Sequence, residues 1–346
     1  MAGWPAQADY RDALQNPGGA FKDPVLRAAQ VEQNKMRVPR ARSGAFASVY
    51  KLTHPGGAVA LKLFNFSSPD RERRYHAVSE HLTKLGPRRP ASLVGFKYEP
   101  HGIQVRGNWF PLQTMDWVKG QSLGEWVRET MAKRNLAAVR RMADEWVKLV
   151  SDLRAVNLAH GDLQHDNVMV VGDRPVLVDY DGMVVPGLEG IDQLEFGKPA
   201  YQHPKRGDQK LSLAIDDFSA WVILVALRAV AVDPMLYQRF VTQADNENLL
   251  FVPEDLAAPA KSPLWPLLVA LKDPQAAGWA TALRDACSRP FDQIPPFQMD
   301  PFKQLLTLCG SGVKSWGAIA AEADRLRANG KPIPTDPPTV PGVVEE

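Results

Sequence analysis

Hydrophobic and polar positions along the 346-residue chain change rhythm twice. In the first stretch, apolar and polar residues alternate in two runs, Ala47-Ser48-Val49-Tyr50-Lys51-Leu52 and Ala58-Val59-Ala60-Leu61-Lys62-Leu63-Phe64, separated by Pro55-Gly56-Gly57. A period of two on both sides of a Pro-Gly turn predicts a β-hairpin. Ser67-Ser68-Pro69-Asp70 then supplies helix-start chemistry, and the apolar spacing from Arg71 to Leu85 predicts a helix. Three shorter strand-like runs follow at 92–98, 102–106 and 109–115. After Gly120 the period lengthens: Leu123 to Met131 and Leu136 to Val156 read as helices, the second long and amphipathic. Val168 to Val171 and Val176 to Val178 are short β runs around a Gly172-Asp173-Arg174 turn, and Phe218 to Val230 reads as a buried helix. Between 233 and 316 the pattern predicts further helices interrupted by prolines.

The ends differ from the middle. Residues 1–40 are polar and punctuated by Pro5, Pro17, Gly18, Gly19, Pro24 and Pro39, which predicts a short helical or loop prelude. From Lys331 to Glu346 five of 16 residues are proline with no apolar period, the composition of a disordered tail. No internal repeat is present. A β-rich first part and a helix-rich second part predict an α+β protein of two lobes. The expected boundaries are an N-terminal extension over 1–40, a small lobe over 41–117, a larger lobe over 118–325 and a tail over 326–346.

Composition narrows the function classes. Lysine plus arginine total 41 and aspartate plus glutamate 39, a net charge of +2. Near-neutrality argues against a dedicated nucleic-acid binder, which neutralises phosphates with a strongly basic domain. The charge is uneven, however: residues 1–110 carry 17 basic and 8 acidic side chains, the remainder 24 and 31. A basic front part suits a polyanionic nucleotide as well as it suits a solvated surface. Two cysteines, Cys287 and Cys309, are too few for a disulfide scaffold or a zinc module and fit a reducing compartment. The N-terminus shows no signal-peptide pattern, and the longest apolar run, Trp221 to Val232, is interrupted by Arg228 and too short to span a bilayer. A soluble, cytoplasmic protein without membrane or nucleic-acid partners is therefore expected.

The segment richest in chemistry is His160-Gly161-Asp162-Leu163-Gln164-His165-Asp166-Asn167. An aspartate followed five residues later by an asparagine, just before a β-hairpin, resembles the catalytic loop of protein kinases, H-R-D-L-x-x-x-N. Seventeen residues beyond Asp162, the apolar run Leu177-Val178 ends in Asp179-Tyr180-Asp181-Gly182, where that family places its metal-holding D-F-G aspartate. Upstream, Val59-Ala60-Leu61-Lys62 is similar to the V-A-I-K strand carrying the phosphate-contacting lysine. Ser43-Gly44-Ala45-Phe46-Ala47-Ser48-Val49-Tyr50 resembles the phosphate-covering loop, with Gly44 at its second glycine and Arg42 and Ala47 replacing the first and third. Met115-Asp116-Trp117-Val118 resembles the gatekeeper and hinge. Gly197-Lys198-Pro199-Ala200-Tyr201-Gln202-His203-Pro204 resembles the end of an activation segment, and Asp216 to Leu224 the helix supporting the catalytic loop. The resemblance covers about 42 to 230.

The resemblance implies a two-lobed protein-kinase-like fold with a small β-rich N-lobe and a larger, mainly helical C-lobe. It implies ATP and Mg2+ as cofactors: Gly44, Lys62, Asp116 and Val118 at the nucleotide, Asn167 and Asp179 at the metal, and Asp162 orienting the acceptor hydroxyl. The carboxylate partner of Lys62 is Glu80, which has the family spacing, or Glu72 on the same helix. Asp181 reads as a turn residue before Gly182 or as an added metal ligand, and His160 as a packing residue beneath the metal loop.

The departures also carry expectations. Gly161 replaces the arginine that in many protein kinases pairs with a phosphorylated activation segment, and 182–204 contains no serine or threonine. Activity without phosphorylation of that segment is therefore expected. Gln164 stands where the family has a lysine, and Lys198 where it has a threonine; in the family both positions approach the catalytic aspartate, and Lys198 is expected to supply the transferring phosphoryl group with the positive charge that Gln164 cannot offer. Lys205 replaces a glutamate whose ion pair usually anchors the segment. The resemblance thus points to an atypical bacterial Ser/Thr protein kinase acting on an unknown protein substrate. A phosphatase or stress-response protein is a possible partner by association. Two alternatives stay open: a pseudokinase serving as a nucleotide-binding scaffold, and a small-molecule phosphotransferase.

Overall fold

A computed structural model of the chain describes residues 3–43, 46–193, 196–207, 210–294 and 296–297. The tail over 326–346 and the last part of the expected larger lobe lie outside the described residues. In chain order the elements begin with three short helices, α1 (Gln7–Leu14), α2 (Pro17–Ala20) and α3 (Pro24–Arg27). Strands β1 (Gln30–Val31), β2 (Ala41–Ser43), β3 (Ala47–His54) and β4 (Gly57–Phe64) follow, then helix α4 (Pro69–Leu85) and strands β5 (Phe96–Val105) and β6 (Asn108–Asp116). A short strand β7 (Gln121–Ser122) leads into α5 (Leu123–Ala132) and α6 (Leu136–Ala155), followed by β8 (Val168–Val171) and β9 (Arg174–Leu177). The remainder is helical: α7 (Asp217–Val232), α8 (Pro234–Tyr237), α9 (Pro253–Ala257), α10 (Trp265–Val269) and α11 (Pro274–Ser288). The protein is α+β, with its large sheet in the N-terminal third and its long helices mostly after it.

The sheet is antiparallel, in the order β1-β3-β4-β6-β5 with β2 also on β3. The predicted hairpin closes with Ala47 opposite Phe64 and His54 opposite Gly57. The runs at 92–98 and 102–106 prove to belong largely to one strand, β5, with an irregularity between Glu99 and Ile103. Pro100-His101-Gly102 bends the strand without ending it: a side chain at Gly102 would collide with Leu112 on the neighbouring strand, so glycine keeps the two backbones close.

Side-chain alternation gives the sheet two buried faces. Tyr50, Leu52, Leu61 and Leu63 point to one side, where they pack with Tyr10, Leu14 and Phe21 of the first 21 residues. The prelude over 1–40 is therefore a cover for the sheet, tied down by Tyr10 Oη donating to the Phe64 carbonyl at 2.7 Å and by an Arg106–Asp9 ion pair. Lys62 and Phe64 point to the opposite face, under α4, where Phe64 stacks on Tyr75 with ring centroids 5.3 Å apart. That face is continuous with the apolar interior of the helical part. Helix α7 runs through this interior with almost every side chain buried, and Trp146 Nε1 of α6 donates to its Ala220 carbonyl at 3.1 Å. Among the described residues no single helix is long and apolar enough to cross a membrane.

Candidate functional site

The backbone of the 158–167 loop is held from below by Asp216, at the N-terminus of α7. Its two carboxylate oxygens accept the backbone N–H groups of His160 and, at 2.8 Å, Gly161. Burial pushes this carboxyl above the usual range, against the opposing effects of His160, the two N–H donors and Arg206. His160 Nε2 donates to the Val178 carbonyl at 3.0 Å, the packing role expected of it. Ala159 and Val184 exchange both backbone hydrogen bonds, so the loop lies against the 179–184 turn strand to strand. Where they meet, Gly161 and Gly182 touch backbone to backbone. Gly161 has φ +81°, and a side-chain carbon there would sit 1.9 Å from the Gly182 carbonyl oxygen. No arginine fits at this position.

Asp162 projects from this clamp. Its Oδ2 accepts Asn167 Nδ2 at 2.8 Å and Gln164 Nε2 at 3.4 Å, and Asn167 Nδ2 also donates to the Asp162 carbonyl at 2.9 Å. With its nitrogen turned to Asp162, the planar amide of Asn167 presents its oxygen on the other side. The Val178 N–H donates to the Asn167 carbonyl at 3.0 Å, extending the β8–β9 ladder and bringing Asn167 close to Asp179. Asp179 is exposed and has φ +63°, a left-handed conformation unusual for a side-chain-bearing residue and characteristic of functional turns. Asp162 and Asn167 are thus bonded to each other, and Asp179 follows directly on the Val178–Asn167 backbone bond. An amide oxygen and a carboxylate are hard donors of the type magnesium takes alongside water and phosphate oxygens. Among the described residues no three His, Cys, Asp or Glu side chains converge as a metal-holding group.

Lys62 is placed differently from expectation. Its ammonium pairs with Asp181, both side chains being less than one-fifth exposed, and lies 5.8 Å from the centre of the Tyr75 ring. Glu80 is exposed and pairs instead with Lys84 at 2.8 Å, one turn along α4, while Glu72 accepts from Ser67 Oγ at 3.4 Å. The reason is helical phase: Arg74, Tyr75, Val78, Leu82 and Leu85 form the buried face of α4, which turns Glu80 to solvent. Asp181, read as a turn residue or an added ligand, is the carboxylate that sequence reasoning missed as the lysine's partner. The second acid of Asp179-Tyr180-Asp181 was its only signal.

Lys198 lies beside the same loop, its ammonium 3.3 Å from Asp166 Oδ2. At the expected hinge, the Asp116 N–H donates to the Gly95 carbonyl and its carboxylate accepts the Gly95 N–H, so this residue fastens β6 to the edge of β5. The Trp117 N–H donates to the Ala58 carbonyl, whereas the Val118 backbone forms no hydrogen bond to a described residue. Gly44 lies outside the described residues. Cys287 is buried, and burial pushes its thiol up to about 12, which keeps it out of the chemistry.

Arg206 is the other residue that sequence reasoning missed. It is buried, donating from Nη2 to the Gly161 carbonyl at 3.2 Å and from Nε to Gln193 at 3.0 Å, with Asp216 and Asp162 in its field. A guanidinium thus reaches the loop from the 197–207 segment, while position 161 itself is glycine. That segment has its own anchor. Lys205 Nζ donates to the Ser288 carbonyl at 2.6 Å and His203 Nε2 to the Ala286 carbonyl at 3.0 Å, both in the last turn of α11, where carbonyl acceptors and the helix dipole favour cationic and N–H donors.

His203 Nδ1 accepts the Lys205 N–H at 3.0 Å, so both ring nitrogens are committed to the neutral form. Burial holds its pKa below the ordinary histidine value, and burial does the same for His165, whose Nδ1 lies 2.6 Å from Tyr201 Oη. Groups depressed in the folded state bind protons preferentially in the unfolded chain, so stability is lost as pH falls through the ordinary histidine range. The expected result is a lower urea midpoint at pH 5.5 than at pH 7.5, with a smaller difference in His203→Gln. An identical difference in the two proteins would remove His203 from the account.

Comparison of the chain with protein-family models and with curated proteins finds no match.

Proposed function

We propose that this chain is a protein-kinase-like enzyme that transfers the terminal phosphoryl group of ATP, with magnesium, to serine or threonine hydroxyls of a protein. The observation that carries the reading is Asp162 held by Asn167 beside the left-handed Asp179, with the Lys62–Asp181 pair in reach of the same turn. In this reading Asp162 orients the acceptor hydroxyl and takes its proton. Lys62 exchanges Asp181 for the nucleotide phosphates, and the Val118 peptide offers hydrogen bonds to the base. Asn167 and Asp179 would hold magnesium, which when bound neutralises charge on the phosphates. The segment after Gly182 is anchored by His203, Lys205 and Arg206, none of which needs a phosphate, in keeping with activity independent of phosphorylation there.

One observation favours a second reading, a nucleotide-binding scaffold without transfer: Asp162 Oδ1 is buried. The same assay separates the two. Incubated with labelled ATP, magnesium and generic protein substrates, the wild-type chain is expected to transfer label, and Asp162→Asn to transfer it about a hundredfold or more slowly. Equal rates would overturn the catalytic role of Asp162. Nucleotide-dependent thermal stabilisation with no transfer would establish the scaffold.

A further inference from the structure

The two oxygens of Asp162 have unlike surroundings. Oδ2 takes the amides of Asn167 and Gln164, whereas Oδ1 is buried with no hydrogen-bond partner among the described residues. One unmatched donor lies nearby. Gln202 is 8% exposed, and its Nε2 is likewise buried and unpartnered. Gly197 separates them. A side-chain carbon built there would lie 2.4 Å from Asp162 Oδ1 and 2.6 Å from Gln202 Nε2, so the two atoms are at most 5.0 Å apart. That is no more than about 2 Å beyond a direct hydrogen bond, and it is a span that one oxygen atom can bridge. A buried acceptor and a buried donor facing each other across a glycine are each other's natural complement.

We infer that Gln202 is a positioning residue for Asp162, donating Nε2–H to Oδ1 directly or through one water. The inference rests on the proposed phosphotransfer reading for its functional consequence, but the hydrogen bond itself does not. It gives the carboxylate three amide donors, Asn167 and Gln164 on one oxygen and Gln202 on the other. This also accounts for how the aspartate is oriented when no ammonium reaches it: position 164 is glutamine, Lys198 is held by Asp166, and Arg206 bonds the Gly161 carbonyl. Gly197 is required because any side chain would enter the space between the donor and the acceptor.

Two measurements test this. In 15N-labelled protein, the Gln202 side-chain amide signals, assigned by their loss in Gln202→Met, are expected to exchange slowly with solvent. Asp162→Ala should shift them and speed exchange about tenfold or more. In the phosphotransfer assay, Gln202→Met, which keeps the length and loses the donor, should lower kcat about tenfold or more with KM for ATP within about twofold, while the thermal midpoint falls by only a few degrees, the cost of an unpaired buried acceptor. A Gln202 amide indifferent to Asp162→Ala overturns the hydrogen bond. A normal kcat in Gln202→Met overturns the positioning role. If the wild-type chain transfers no phosphoryl group, the functional reading fails on its own, and the amide exchange still decides whether Gln202 binds Asp162.

Discussion

Gly161→Ala is expected to cost about 3–5 kcal/mol of folding stability, from a left-handed backbone that alanine resists and a clash that cannot relax cheaply. The added carbon would sit 1.9 Å from the carbonyl oxygen of Gly182. The obstacle is backbone on both sides, because Ala159 and Val184 are locked by reciprocal hydrogen bonds two residues away. Gly172→Ala supplies the control. It also has a positive φ, +62°, but a side chain there meets nothing within 4 Å, so it should cost only the conformational part, about 1–2 kcal/mol. Urea unfolding of the two variants separates crowding from strain. Equal losses would mean that the Gly161–Gly182 contact opens readily. The same contact explains why the guanidinium at this loop comes from Arg206: a side chain at 161 has no path out, while the segment ending at 207 has one in.

The parts of this architecture that were legible in the sequence are those set by local periodicity. The hairpin around Pro55-Gly56, helix α4, the α5–α6 pair, the β8–β9 hairpin and buried helix α7 all lie within a few residues of their predicted positions. The grouping of Asp162, Asn167 and Asp179 came from the resemblance to the kinase motifs; the structure adds the Asn167–Asp162 hydrogen bonds and the Val178–Asn167 backbone bond beside Asp179. What was not legible depends on phase and on distant pairing. Glu80 has the right spacing from Lys62 along the chain and the wrong angle around α4. Asp181 reaches Lys62 from 119 residues away, and nothing local distinguishes such a carboxylate from a turn former. Residues 1–40 read as loose punctuation because their prolines and glycines break any apolar period. Tyr10, Leu14 and Phe21 are nevertheless what closes the outer face of the sheet.

Asp216→Ala is the other substitution expected to be severe, again by about 3–5 kcal/mol. It would orphan the backbone N–H groups of His160 and Gly161 and leave buried Arg206 without its main counter-charge. Asp216→Asn divides this loss. One carboxamide oxygen can accept from one of the two N–H groups, and its NH2 faces the other, donor against donor. The neutral side chain also removes the charge that faces Arg206. The Asn variant should therefore fold, less stably, with the His160 and Gly161 amides exchanging faster with solvent than in the wild-type protein. If Asp216 acts by fixing the loop that carries Asp162, phosphotransfer should fall in the Asn variant at temperatures well below its unfolding transition. Unchanged exchange at both amides would mean that the loop is held by the Ala159–Val184 and Gly161–Gly182 contacts alone. In that case the charge at 216 serves Arg206, and Arg206→Met should restore much of the stability that Asp216→Ala removes, because it takes away the uncompensated cation.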